Sequence, residues 1–282
     1  MQSRWMAITL MTLAGACYGL VTPLAKGAAL AGVPVRLYTP LQYVLPLVLL
    51  ALMALRQRRL IPPSSKERIN GAAVGALGAA TAVTYYEAVR LLPADEAVML
   101  LFQFSWILPL IGWALSARRP TYPQALAIFI IWVGTLISTR AFSPNGWGLA
   151  FGLLAALFYA LMLYLQGRLP SDTSVWESAR LSTLTGAVLA TLLDRPWQMP
   201  LTHPITSWGW ASAIGLTGQA LPLVLTYQAA PVLGETLTAV LASAELPVAV
   251  IVSQLAFREP ARWPVWAGVV LIVSGIMLGA LS

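Results

Sequence analysis

Glu245 stands two residues ahead of Pro247, near the middle of the largely apolar run from Gly234 to Phe257. A carboxylate in such a run is costly to keep in a bilayer, so it marks chemistry by default. Pro247 frees a backbone carbonyl one turn upstream and can kink a helix there. A carboxylate beside that kink can bind an ammonium group or take up a proton. It can equally be a structural partner for Arg180 or for hydroxyls on a neighbouring helix. Arg180 has two readings of its own: it snorkels to the interface, or it faces a cavity and binds a carboxylate bidentately. Glu87 and Arg90 lie one turn apart, a spacing that predicts a local ion pair.

Aromatic and amide residues give the second signal. Gln103, Phe104 and Trp106 cluster in one apolar run, with Tyr85 and Tyr86, Tyr159 and Tyr164, and Gln219 and Tyr227 in others. Rings with polar tips suit a pocket that holds an apolar group and still offers hydrogen bonds. For any one of them, core packing or lipid contact is the competing reading. The residues expected to line a cavity and bind a small-molecule substrate are Tyr86, Gln103, Trp106, Tyr159, Gln219, Tyr227 and Glu245. Rings would contact the cargo's side chain, amides and hydroxyls its polar groups, and Glu245 its ammonium. Trp5, Trp147, Trp208, Trp210, Trp263 and Trp266 stand at the ends of apolar runs, where interfacial anchors belong.

Other chemistries find no residues. Lys26 and Lys66 are followed by Gly27 and Glu67, so the chain has no phosphate-binding Gly-Lys-Ser/Thr loop. Cys17 is the only cysteine and His203 the only histidine, which excludes an intrachain disulfide, a cysteine cluster and a multi-histidine metal site. His203 lies in a Pro-rich loop, so a Ser-His-Asp triad has no base inside the membrane. No catalytic residue, metal or cofactor is expected, and the chain reads as a non-enzyme.

The elements that position these residues are membrane spans. Of 282 residues, 59% are hydrophobic and 10% charged, and mean hydropathy is +0.76. A soluble domain carries about 25% charged residues, so this chain belongs in a lipid bilayer. Breaks at Pro, Gly and charge divide it into ten spans: Trp5–Lys26, Leu37–Leu55, Gly71–Leu92, Ala94–Ala117, Tyr122–Thr139, Trp147–Gly167, Val175–Leu193, Ile205–Ala230, Gly234–Phe257 and Pro264–Leu281. The first run extends past Cys17 and has a counterpart later in the chain, which predicts a retained helix rather than a cleaved leader. Arg56, Arg58, Arg59, Lys66 and Arg68 fill one inter-span loop, and Arg118 and Arg119 another. By the positive-inside rule these loops and both termini are cytoplasmic, in a bacterial inner membrane. Membrane topology explains the +7 net charge, so nucleic acid is not an expected partner; the oligomeric state is left open. Small residues four apart, such as Gly15 and Gly19 or Gly275 and Gly279, suit close helix packing.

The chain also matches itself at an offset of 141 residues. Tyr18 falls on Tyr159, Tyr86 on Tyr227, Pro123 on Pro264 and Gly134 on Gly275. Residues 1–141 and 142–282 thus read as two five-span repeats of one membrane unit. An odd number of spans per repeat makes the second enter from the opposite side, an inverted repeat of the kind that recurs in secondary transporters. The expected fold is all-α, ten transmembrane helices as two inverted five-helix repeats around a central cavity.

Those repeats carry a further resemblance. Each fourth span holds a proline (Pro109, Pro247), a short charged turn follows (Arg118-Arg119-Pro120, Arg258-Glu259-Pro260), and a Gly-containing fifth span closes the repeat (Gly134, Gly275). In this the whole chain resembles the drug/metabolite transporter superfamily, in particular its ten-helix EamA-type branch. The branch usually has Gly-Glu in the turn, where this chain has Arg-Arg and Arg-Glu. Its aromatic-rich core looks closest to bacterial exporters of aromatic amino acids. The resemblance implies export of small metabolites through a cavity between the repeats, with amino acids or similar amphipathic solutes as cargo. Sugars, nucleosides and cationic drugs are the rival cargoes, and a membrane enzyme or non-transporting subunit is the rival class.

Overall fold

The structure, a computed structural model, describes residues 3–56, 64–92, 94–116, 119–138, 145–169, 174–198, 204–257 and 263–281. Arg58, Arg59, Arg118, Arg140, His203, the Arg258-Glu259-Pro260 turn and Arg262 lie outside them. Every regular element among the described residues is helical, as an apolar chain in lipid requires, because a helix satisfies its own backbone. In order they are α1 (Arg4–Leu30), α2 (Val35–Leu41), α3 (Val44–Arg56), α4 (Ser65–Leu91), α5 (Ala94–Leu101), α6 (Phe104–Ser116), α7 (Tyr122–Ser138), α8 (Gly146–Gln166), α9 (Val175–Asp194), a 3-10 turn (Pro196–Gln198), α10 (Pro204–Gly215), a π-turn (Leu216–Ala220), α11 (Leu221–Ala242), α12 (Glu245–Phe257) and α13 (Trp263–Leu281). Polar caps start several of them. Ser3 accepts from the Met6 N–H at α1, Ser64 and Glu67 form a capping box at α4, and Asn145 accepts from the Gly148 N–H at α8.

Among the described residues, six segments are long and apolar enough to cross a membrane: 4–30, 35–56, 97–116, 146–166, 205–257 and 263–281. The expected count of ten spans is not read off these helices. Helices α4 and α9 are long but rich in small and hydroxyl-bearing residues, and 205–257 runs on without a loop.

Three expected spans are broken. Residues 42–43 separate α2 from α3, 102–103 separate α5 from α6, and 243–244 separate α11 from α12. Pro46 and Pro247 each stand four residues beyond a break and offer no N–H to the Gln42 or Ser243 carbonyl. Pro109 has the same relation to Ser105, at the start of α6 rather than in the break. The π-turn has a related cause, since Pro222 offers no N–H to the Gly218 carbonyl.

The helices pack across the chain's midpoint rather than within each half. Helix α4 lies along α8 and α9, α1 along α11 and α12, and α7 along α13. The α7–α13 seam is two-fold in detail. A Cβ on Gly134 would meet Gly268 and Ile272, and one on Gly275 would meet Ala127 and Ile131, the same pairs exchanged at the 141-residue offset. Phe104, Leu108, Leu163, Tyr227 and Leu241 fill the core where these helices converge. Trp5, Trp147, Trp208, Trp263 and Trp266 are exposed, as anchors should be. Trp210 is instead partly buried, its ring against Gly27 of α1.

Candidate functional site

A cavity of about 500 Å³ lies inside the bundle. Its walls come from α1, α2, α4, α5, α8, α9, the π-turn, α11 and α12, while α7 and α13 stay outside it. The lining runs from Glu245 out to the exposed Ala29, Val35 and Val89. It therefore opens at the end of the bundle that holds the end of α1, the start of α2 and the end of α4.

Glu245 is the first residue of α12, directly after the 243–244 break. The break turns its side chain into the cavity while its backbone carbonyl lies against Gly19 of α1, where no larger residue fits. The Tyr159 hydroxyl donates to its Oε2 at 3.5 Å. Among the described residues it makes no ion pair. Arg180 is not its partner: it is held by Glu177 on its own helix, at 2.8 and 2.5 Å. Glu87 and Arg90 form the expected local pair at 2.6 Å.

Tyrosines surround the carboxyl. Tyr159 stacks edge-on against Tyr18 with centroids 5.9 Å apart, and against Phe104 at 4.7 Å. Further toward the mouth Tyr86 contacts Tyr85 at 6.1 Å and Tyr38 at 6.4 Å. Gln219, carried on the π-turn, donates from Nε2 to the Tyr43 hydroxyl at 3.4 Å. Phe104 and Glu245 are equivalent at the 141-residue offset, so the acid occupies the place an apolar ring holds in the first repeat.

Of the seven residues expected in the cavity, the structure brings four to its wall: Tyr86, Tyr159, Gln219 and Glu245. Gln103 and Trp106 are not in it. Gln103 lies in the 102–103 break, where its Nε2 donates to the Met99 carbonyl and its Oε1 accepts from the indoles of Trp106 at 2.8 Å and Trp132 at 3.2 Å. Its amide holds the break, and Trp106 is 39% exposed on the outer surface. Tyr227 sits behind the wall, bonded at 2.8 Å to Ser182, and it is Ser182 that lines the cavity. The residues not anticipated are Tyr18, Tyr38, Tyr43 and Gln42. Tyr18 had a signal in its match to Tyr159; the other three lie around the unforeseen α2–α3 break.

A helical membrane bundle with one large internal cavity and its few polar groups turned inward is the architecture of a solute carrier. The comparisons sharpen that class. The sequence pattern of the EamA-like transporter family occurs twice, over residues 5–140 and 146–280, and the chain belongs to that family, within the drug/metabolite transporter superfamily. A solved crystal structure of a protein with 17% sequence identity superposes on it with a TM-score of 0.78 over 96% of each chain, a likeness of fold. No curated protein matches it significantly in sequence.

Proposed function

We propose that this chain is a secondary transporter of the bacterial inner membrane that exports amino acids, aromatic ones included, by alternating access. Residues 1–141 and 142–282 act as two inverted repeats of five spans each, and their pseudo-two-fold packing supports that division. The observation that carries the cargo class is Glu245, the one acidic side chain on the cavity wall among the described residues, set among the rings of Tyr18, Tyr85 and Tyr159. A carboxylate ringed by aromatic faces attracts an ammonium group from both sides of its charge distribution. The apolar lining residues Val21, Ala25, Val98, Leu101 and Phe102 accommodate a side chain. Tyr86, Tyr159 and Gln219 supply hydroxyl and amide contacts. Export of organic amines without a carboxylate is a second reading, favoured by the same lone acid.

The test is uptake of radiolabelled amino acids and amines into liposomes that contain only this protein, with and without a pH gradient. Saturable uptake that unlabelled amino acid competes away supports the first reading. Uptake of amines alone moves the second to the front. Uptake of neither, with sugars or nucleosides carried instead, overturns both.

A further inference from the structure

The cavity stops short of the bundle's other end, and that end carries a cluster of charged and hydroxyl groups. Ser116 closes α6, Tyr164 and Arg168 lie at the end of α8, and Glu235 follows Gly234 in α11. Arg168 pairs with Glu235 at 2.9 Å, and the Glu235 side chain is only 9% exposed. Ser116 donates to Glu235 at 3.4 Å and shares a hydrogen bond with the Tyr164 hydroxyl at 3.3 Å. The Arg168 guanidinium lies over the Tyr164 ring at 4.8 Å. Through Ser116 the first repeat thus meets Tyr164 and Glu235 of the second. Gly234 beside it has φ 73 and ψ 175, backbone that only glycine adopts without strain, and it bends α11 there.

Toward the same end, α4, α8 and α9 hold buried polar atoms with no hydrogen-bond partner. They include both amide atoms of Gln166, the Ser178 hydroxyl and Asn70 Oδ1. Gln166 and Ser178 are 0% and 1% exposed. The groups are brought together by packing: Asn70 donates to the Leu165 carbonyl, and Ser178 lies against Gly71. One turn along α9 from Ser178, Ser182 reaches the cavity wall. An unpartnered polar atom in an apolar core costs free energy, whereas the same atom lining an aqueous passage does not.

We propose that Arg168–Glu235 is the latch of a second mouth, and that Asn70, Gln166 and Ser178 line the passage it seals. The proposal rests on the transporter reading. Opening would part Arg168 from Glu235 about the Gly234 bend, expose the three polar residues to water, and close the cavity at the Val35–Val89 end.

The experiment uses the full chain in lipid, with Cys17→Ser removing the native thiol and one reporter added, Ser178→Cys or, on the cavity wall, Thr81→Cys. A membrane-impermeant maleimide measures accessibility. Glu235→Gln and Arg168→Gln should each speed labelling at position 178 by tenfold or more and slow it at 81. The exchanged pair Arg168→Glu with Glu235→Arg should return both rates toward those of the parent, which separates an ionic latch from general loosening of the fold. Unchanged labelling at 178 in both single variants overturns the latch, even if transport is intact. The labelling shift without transport of any solute leaves the latch standing and removes the transporter reading.

Discussion

At the scale of single residues, the acid at the inner end of the cavity is Glu245, while Lys26 lines the same cavity. Glu245 has a single partner among the described residues, and at 3.5 Å it is a weak one. Glu245→Gln keeps the shape and removes the charge. Uptake of ammonium-bearing cargo should fall about tenfold or more, the size expected for a charged hydrogen bond, with the melting temperature little changed. Tyr159→Phe keeps the ring against Tyr18 and Phe104 and loses only the hydroxyl, so KM should rise by roughly fivefold, the worth of about 1 kcal/mol. Gln103→Leu is the contrasting case. It strips the shared acceptor from two indole N–H groups, so the main effect should be a stability loss of about 1–3 kcal/mol, seen in the thermal melt of the solubilised protein. Residue types were legible in the sequence at these positions; directions were not. Gln103 and Trp106 lie three apart on one face and read as a pocket pair, but the break at 102–103 interrupts the helical period from which a face is inferred.

At the scale of helices, the position of each break decides which side chains enter the cavity. The proline rule points to 42–43 and 243–244, where Pro46 and Pro247 offer no N–H to the Gln42 and Ser243 carbonyls, and it does not point to 102–103. That third break lies at the 141-residue offset from 243–244, so the repeat reveals it where proline does not. The helices themselves were legible because long apolar runs in lipid have no other way to satisfy their backbone. The exact span count was not, since cavity-lining helices such as α4 exchange apolar for small and hydroxyl residues. Pro247→Ala should let α11 and α12 run together and swing Glu245 off the wall. Transport should then drop to a level near that of Glu245→Gln while the melting temperature holds or rises. Gly134→Leu and Gly275→Leu press on equivalent neighbours across the α7–α13 seam. They should lower thermal stability by similar amounts, and a large difference between them would contradict the two-fold packing.

At the scale of the whole molecule, charge and cavity shape together bear on which way the bundle faces. The end with the latch also carries Arg56, Lys66, Arg68 and Arg119, and a basic end belongs in the cytoplasm. The cavity mouth at Ala29, Val35 and Val89 is at the other end, and on that basis we propose that this conformation is outward-open with both termini inside. Reporter fusions and thiol labelling separate these statements. A fluorescent or phosphatase fusion after Leu281 should report a cytoplasmic C-terminus. In intact cells, an impermeant maleimide should label Val89→Cys at the mouth quickly, in a Cys17→Ser background, and should label Ser116→Cys at the latch far more slowly. Inside-out vesicles should reverse that order. The two assays are independent, because a fusion reads topology alone and labelling reads topology together with the resting conformation. A cytoplasmic C-terminus with fast labelling of both positions from outside would keep the orientation and discard the sealed latch. An external C-terminus would invert the molecule, and the cavity would then face the cytoplasm in this state, poised to take cargo up rather than to release it.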